Sequence, residues 1–271
     1  MSNISVFGST GFIGKKWMSL YEDISIAEPR ESINPICKNI LYLRSTNSNY
    51  NVLKDASIDI RSNLLLLTET LNNLKENSNF LLTSSWFVYG KNNIHINNEE
   101  SPCNPTGFYS ITKYTQEQLL KSFCETKDIN YKIVRLCNVI GGDNGANAQK
   151  NALEFLINKL KNNEDINIYD GDNYRNYMHV EDVCIAIKLI FEKGCEHIYN
   201  IGNSESVKLI DIVTFCKNLI DSKSKISIVQ TPTFHKNVQV KDFHMETTKL
   251  ASLNFKPKYS LEQTLKFLCL K

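Results

Sequence analysis

FGSTGFIG, residues 7–14, places glycines at 8, 11 and 14 directly after a β-branched opening run, Ile4 to Phe7. A residue without a Cβ permits a tight turn at Gly8, lets the backbone at Gly11 approach a pyrophosphate, and lets a helix starting near Gly14 pack on the strand. The helix N-terminus, with Thr10, Phe12 and Ile13 around it, would then hold the phosphates. Glu28 closes a second strand-like run, Ile24 to Ala27, about 20 residues beyond Gly8, the spacing at which an acid meets ribose hydroxyls. That favours NAD. Arg30 and Arg44 could meet a 2′-phosphate instead, which keeps NADP open. Read alone, the triplet is also an ordinary strand-to-helix turn.

Further candidate strands lie at Ile40 to Leu43, Phe80 to Thr83, Tyr131 to Leu136 and His197 to Ile201, with helical patterns between them. Strands alternating with helices imply an α/β chain, a Rossmann-type doubly wound parallel sheet. Apolar residues at 64, 67, 71 and 74 give Asn63 to Lys75 one buried stripe, which Leu65 and Leu66 widen toward a subunit contact. Tyr109 to Thr126 and Val180 to Lys193 repeat the helical pattern. The expected division is a dinucleotide-binding domain over 1–143, with last strands drawn from about 175–205, and a smaller, mainly substrate-binding α/β portion over 144–271.

Bulk properties narrow the function. The chain of 271 residues is 42% hydrophobic, with 31 basic against 29 acidic residues and a net charge of +2. Without a basic block, nucleic acid and anionic membrane are not expected partners. Eight cysteines form no CxxC pair, five histidines show no metal-ligand spacing, and the N-terminal stretch has no signal-peptide pattern. No metal and a cytoplasmic location with reduced thiols are the expectations. No apolar run approaches the roughly 20 residues of a membrane helix.

TSSWFVYG, residues 83–90, ends a buried-looking strand on two serines. A strand-end serine commonly caps a turn. At the carboxyl edge of the sheet it can also face a substrate hydroxyl, so Ser84, Ser85 and Trp86 are candidate substrate contacts. YSITK, residues 109–113, puts Tyr109 and Lys113 one helical turn apart. A phenol with a pKa near 10 is a poor base at neutral pH; a neighbouring ammonium and a positive nicotinamide would favour the phenolate. Tyr50 and Lys54 have the same spacing but lie in the polar segment STNSNYN. Ser85, Tyr109 and Lys113 are the catalytic candidates.

Together these motifs resemble the extended short-chain dehydrogenase/reductase family, the NAD-dependent epimerases and dehydratases of nucleotide sugars. GSTGFIG is similar to its GxxGxxG, TSSWFVYG to SSxxVYG and YSITK to YxxxK. RLCNVIGG (135–142) resembles RxxNVYGP, and YRNYMHVEDV (174–183) resembles RDYIHVEDV. The resemblance implies Tyr109 as base, Lys113 as its partner and ribose ligand, and Ser85 as the residue placing the hydroxyl. It implies Asn138, Arg175 and Lys236 as contacts to a nucleotide-diphosphate sugar, and a homodimer built on a four-helix bundle. Three departures stand out. Residues 28–39 are too few for the helix and third strand the family inserts there. YLRS (42–45) puts Arg44 where the family has an apolar pair, and Asn176 replaces an Asp. Members that eliminate water carry an acid after the position of Ser85, where this chain has Trp86 and Phe87, so 4,6-dehydration is disfavoured. A C4 epimerase is expected. A 4-keto-sugar reductase is the alternative, and a non-catalytic dinucleotide-binding regulator or scaffold is the reading of another class. Loops 86–100 and 141–150 would shape the pocket.

Overall fold

The structure, a computed structural model, describes residues 3–92, 94–142, 152–170, 173–240 and 242–270; Asn93 and residues 143–150 of the two pocket loops lie outside these. The chain opens with β1 (Ile4–Phe7), the glycine turn, α1 (Phe12–Leu20), β2 (Ser25–Ala27) and β3 (Asn39–Tyr42). One helical run follows: α2 (Ser57–Asp59), a π-helical segment (Ile60–Leu65) and α3 (Leu66–Asn72). Next come β4 (Asn79–Ser85), β5 (Ile96–Asn97), α4 (Phe108–Lys127), β6 (Asn130–Leu136) and β7 (Asn138–Ile140). Then follow α5 (Ala152–Lys161), β8 (Ile166–Tyr169), β9 (Tyr174–Arg175), β10 (Tyr177–His179), α6 (Val180–Lys193) and β11 (Ile198–Ile201). The remaining elements are β12 (Val207–Lys208), α7 (Leu209–Ile220), β13 (Ile226–Val229), α8 (Thr233–Val238), β14 (His244–Met245), α9 (Thr248–Ser252) and α10 (Leu261–Leu270).

Six strands form one parallel sheet in the order β11-β6-β4-β3-β1-β2. β1 and β3 are buried along their whole length, and Ile40–Tyr42 of β3 reads as the continuous apolar run such a strand writes. Trp17 of α1 and Ile187 and Ile190 of α6 cover one face. Leu67 and Leu71 of α3 and Leu120 and Cys124 of α4 cover the other. A third cluster gathers α5, α7, α10 and β8 around Ile157, Ile212 and Leu265. The chain leaves β1 outward to β2 and returns on the other side as β3, so the strand order reverses between β1 and β3. A crevice for ligands opens there, at the carboxyl ends. β2 is the sheet's edge: the shortened 28–39 segment supplies no further strand.

The helix expected from Asn63 starts earlier, at Ser57, and is π-wound through Asn63. Gln116 Nε2 donates to the Asn63 carbonyl (2.6 Å), and the Asn63 side chain donates to Thr46 and Thr112 (both 2.9 Å). A side chain claiming a helix carbonyl competes with the regular ladder and opens the turn.

Candidate active site

The glycine turn is sterically required. Gly8 has φ +85, and a Cβ there would lie 3.0 Å from the Arg44 nitrogen; one on Gly14 would meet the Gly8 carbonyl at 2.2 Å. Thr10 and Gly11 remain exposed at the N-cap of α1, with Phe12 and Ile13 half-buried behind them. The open N-terminus of this helix, at the strand-order reversal, fits a dinucleotide pyrophosphate.

Ser85 ends β4. Its hydroxyl accepts from the Phe87 amide (3.3 Å), capping the turn over 86–89, and lies near enough to the Tyr109 phenol to favour its phenolate. Gly107 opens α4, with Ser110 Oγ accepting from its amide (3.1 Å), so Tyr109 falls in the first turn beside Ser85. Lys113, one turn on and 1% exposed, donates to the Thr83 carbonyl (2.7 Å) and to Gln116 Oε1 (2.6 Å). β4 and α4 thus bring the three expected catalytic residues together.

Their electrostatics differ from the expectation. Burial pushes the Tyr109 phenol up to about 12; the Ser85 hydroxyl opposes this and the Asp59 carboxylate adds to it. Burial pulls Lys113 down to about 7, against the attraction of Glu117. Desolvation is the largest cause in both cases, disfavouring the phenolate and the ammonium alike.

The structure gives Ser84, Glu28 and Arg44 partners within the protein. Successive strand residues face opposite ways, so Ser84 turns from Ser85 and donates to Glu117. Glu117 is itself paired with Arg135 (2.8 Å), both buried. Glu28 is 4% exposed and accepts from the Ile36 amide (2.8 Å) and the Ser32 hydroxyl (3.3 Å). Arg44 donates to the Ser32 and Pro29 carbonyls (2.8 and 3.2 Å) and lies over the Phe7 ring. Without the missing helix and strand, these side chains satisfy the backbone of the short loop that replaces them. Arg30 is exposed at its rim.

On the substrate side, Trp86 stacks on Phe87 (4.0 Å) and lies tilted against Phe243 (4.4 Å), and the Arg175 guanidinium lies 5.5 Å over its ring. Arg175 also donates to the Tyr174 carbonyl (2.7 Å), and burial pulls its pKa down. Asn138 Nδ2 donates to the Asn176 carbonyl (3.0 Å). Asn176 donates to the Asn203 and Glu205 carbonyls (2.7 and 3.2 Å), bonds an Asp could not make, which accounts for the amide at this position. Lys236 is exposed on α8; its carbonyl accepts from Lys91, and with His235, Gln239 and Thr231 these residues line a cavity of about 300 Å³.

Sequence reading missed Gln116, Asn63 and Asp59, whose roles come from contacts across the fold. It also set Tyr50 aside. Its hydroxyl bonds His235 Nε2 (3.1 Å), which the Tyr169 hydroxyl also meets (3.1 Å).

Residues 41–202 match the sequence model of the NAD dependent epimerase/dehydratase family. The chain is 30% identical over 191 residues to the low-salt glycan biosynthesis protein Agl12 of Haloferax volcanii, covering 69% of this chain and 59% of that one. It is 26% identical over 221 residues to a putative UDP-glucose 4-epimerase of Methanocaldococcus jannaschii, covering 81% and 70%. The fold is that of UDP-glucose 4-epimerase from Thermotoga maritima with UDP-glucose: TM-score 0.84, 21% identity, 99% and 97% of the two chains. Other solved structures of this fold are complexed with NADPH or NAD. Among the described residues no helix is long and apolar enough to cross a membrane.

Proposed function

Because the chain belongs to the NAD dependent epimerase/dehydratase family, we propose that it is an NAD(P)-dependent nucleotide-sugar epimerase acting at C4. The observation that carries this reading is Ser85 at the carboxyl end of β4 beside Tyr109 in the first turn of α4, with Lys113 one turn along. When bound, the dinucleotide takes up and returns hydride. Ser85 orients the carbinol oxygen. Tyr109 removes its proton as the 4-keto sugar forms and gives the proton back once the other face is presented. Lys113 holds the ribose beside it. Arg175 and Asn138 contact the nucleotide diphosphate, as does Lys236 from the cavity under α8. The apolar Trp86–Phe87 pair offers neither acid nor base after Ser85, which supports redox chemistry over 4,6-dehydration.

Exposed apolar side chains on one helical layer, Ile58, Ile60, Leu65, Ile111 and Leu119, support a homodimer through that layer. A monomeric mass by light scattering would remove it.

A second reading, a 4-keto-sugar reductase, is favoured by Tyr109: a phenol pushed up to about 12 is a ready proton donor throughout the neutral range. The test incubates the protein with UDP-, dTDP-, GDP- and CDP-hexoses, follows 4-epimers by proton NMR, and identifies dinucleotide released on denaturation. Interconverted epimers with retained dinucleotide uphold the epimerase. Consumption of NADPH against a 4-keto sugar by protein that retained none replaces it with the reductase. Binding without turnover in either assay leaves a non-catalytic dinucleotide-binding role.

A further inference from the structure

A lysine ammonium is a point charge on a flexible stem, so its place in a site is set by whatever holds it. Lys113 gives two of its three N–H donors to the Thr83 carbonyl (2.7 Å) and to Gln116 Oε1 (2.6 Å). With two donors engaged, the direction of the third is fixed. The Thr83 carbonyl is placed by the backbone of β4. The other acceptor is a side chain, three residues along α4 on the same face and 0% exposed.

Gln116 is itself held. Its Nε2 donates to the Asn63 carbonyl (2.6 Å), which lies in the π-wound turn Ile60–Leu65. Such turns recur at functional sites. The Asn63 side chain donates to Thr46 and Thr112 (both 2.9 Å), and its oxygen accepts from the Thr46 amide (2.9 Å). One amide thus ties the ammonium to the chain leaving β3, beside the reversal of strand order. That amide is neutral. The carboxylate that acts on Lys113 is Glu117, already occupied by Arg135 of β6 and Ser84 of β4. The Asp59 carboxylate of α2 acts on Tyr109. A neutral acceptor fixes the ammonium without placing another charge beside the phenol.

We propose that Gln116 is the positioning residue of the reaction centre: its oxygen fixes the Lys113 ammonium one turn from Tyr109, on a footing supplied by the π-wound turn. This deepens the redox reading above and rests on it for the reaction served. Because an acceptor on an ammonium favours the charged form, Lys113 keeps its proton partly through Gln116.

Gln116→Met keeps the length of the side chain and removes the acceptor. Two quantities are read in the full chain, with thermal unfolding as the check on folding. The first is the pH at which Lys113 titrates, followed by NMR on lysine labelled at Cε, its signal identified by its absence from Lys113→Met. The second is turnover, with KM for the nucleotide sugar, at neutral pH. The expected result is a Lys113 titration moved down by about one to two pH units, the range of a hydrogen bond to a charged group. Turnover falls roughly tenfold to a hundredfold with KM unchanged. A folded Gln116→Met that matches the wild type in Lys113 titration or in turnover overturns the proposal, since a side chain that only fills space would leave the titration where it was. If Gln116→Met does not fold, Gln116→Glu decides. It keeps an oxygen on the ammonium and adds a charge: a titration moved upward supports the proposal, and an unchanged one overturns it. A wild-type protein that turns over no nucleotide sugar overturns the redox reading; the titration needs no substrate and still tells whether Gln116 holds the ammonium.

Discussion

At the β4 end of the crevice Ser85, Tyr109 and Lys113 converge, whereas at the β2 edge Glu28 and Arg44 fold inward onto their own loop. Both regions carried residues that sequence patterns assign to ligand. They differ in what surrounds those residues. At β4 and α4 Lys113 also holds the Thr83 carbonyl and Ser85 the Phe87 amide, yet full-length elements keep these side chains at the crevice. The 28–39 loop has no ladder of its own and draws on Glu28 and Arg44 for its backbone groups. A short loop can consume the residues a longer one would present.

The sharpest way to break this comparison is at Lys113. Lys113→Met should lower turnover on the order of 10²- to 10⁴-fold, the range of a lost acid–base function, measured as initial rate at saturating substrate. Equal rates would place the chemistry elsewhere. The same variant gives a pH test. Lys113 is pulled from an ordinary value near 10.5 to about 7. Between these values the unfolded chain binds the extra proton, so the wild type gains stability as pH rises through that window. Lys113→Met should lack that gain in denaturant unfolding followed across pH. The Tyr109 shift runs the other way. With the phenol up to about 12, the folded state holds the proton longer, and stability falls above the ordinary value near 10.

Gln116→Ala comes next. It leaves the Lys113 ammonium and the Asn63 carbonyl each short of a buried partner, which costs about 1–3 kcal/mol per unsatisfied group in denaturant unfolding. Glu28→Ala separates the regions most clearly. A carboxylate serving its loop predicts a stability loss of about 1–3 kcal/mol with NAD and NADP binding changed equally. A carboxylate serving the ribose predicts a selective loss for NAD. The smallest effect belongs to Ser84→Ala, which removes a hydroxyl from the Glu117–Arg135 pair behind the site. It should cost about 1 kcal/mol and leave KM for the sugar unchanged.

Legibility in the sequence follows the same line. The six sheet strands were visible as short runs rich in β-branched and aromatic residues between helical patterns, and the start and end of α6 were read as they stand. The missing strand was visible as a length too short to hold it. Ser85, Tyr109 and Lys113 were visible because a strand end and a one-turn spacing fix relative position locally. Ser84 bonds Glu117 rather than facing the same way as Ser85, as strand alternation alone implies. Asp59, Asn63 and Gln116 left no local signal: they meet Thr46, Thr112 and Lys113 only once α2, the π-wound turn and α4 pack together. The π-wound turn has the same origin, a carbonyl claimed by a side chain far away in sequence.

The most direct test of the central claim is Tyr109→Phe, assayed for turnover and for dinucleotide binding in the same preparation. The account predicts turnover lost with dinucleotide still bound. Turnover at the wild-type rate would contradict the assignment of the β4 end of the crevice as the reaction centre.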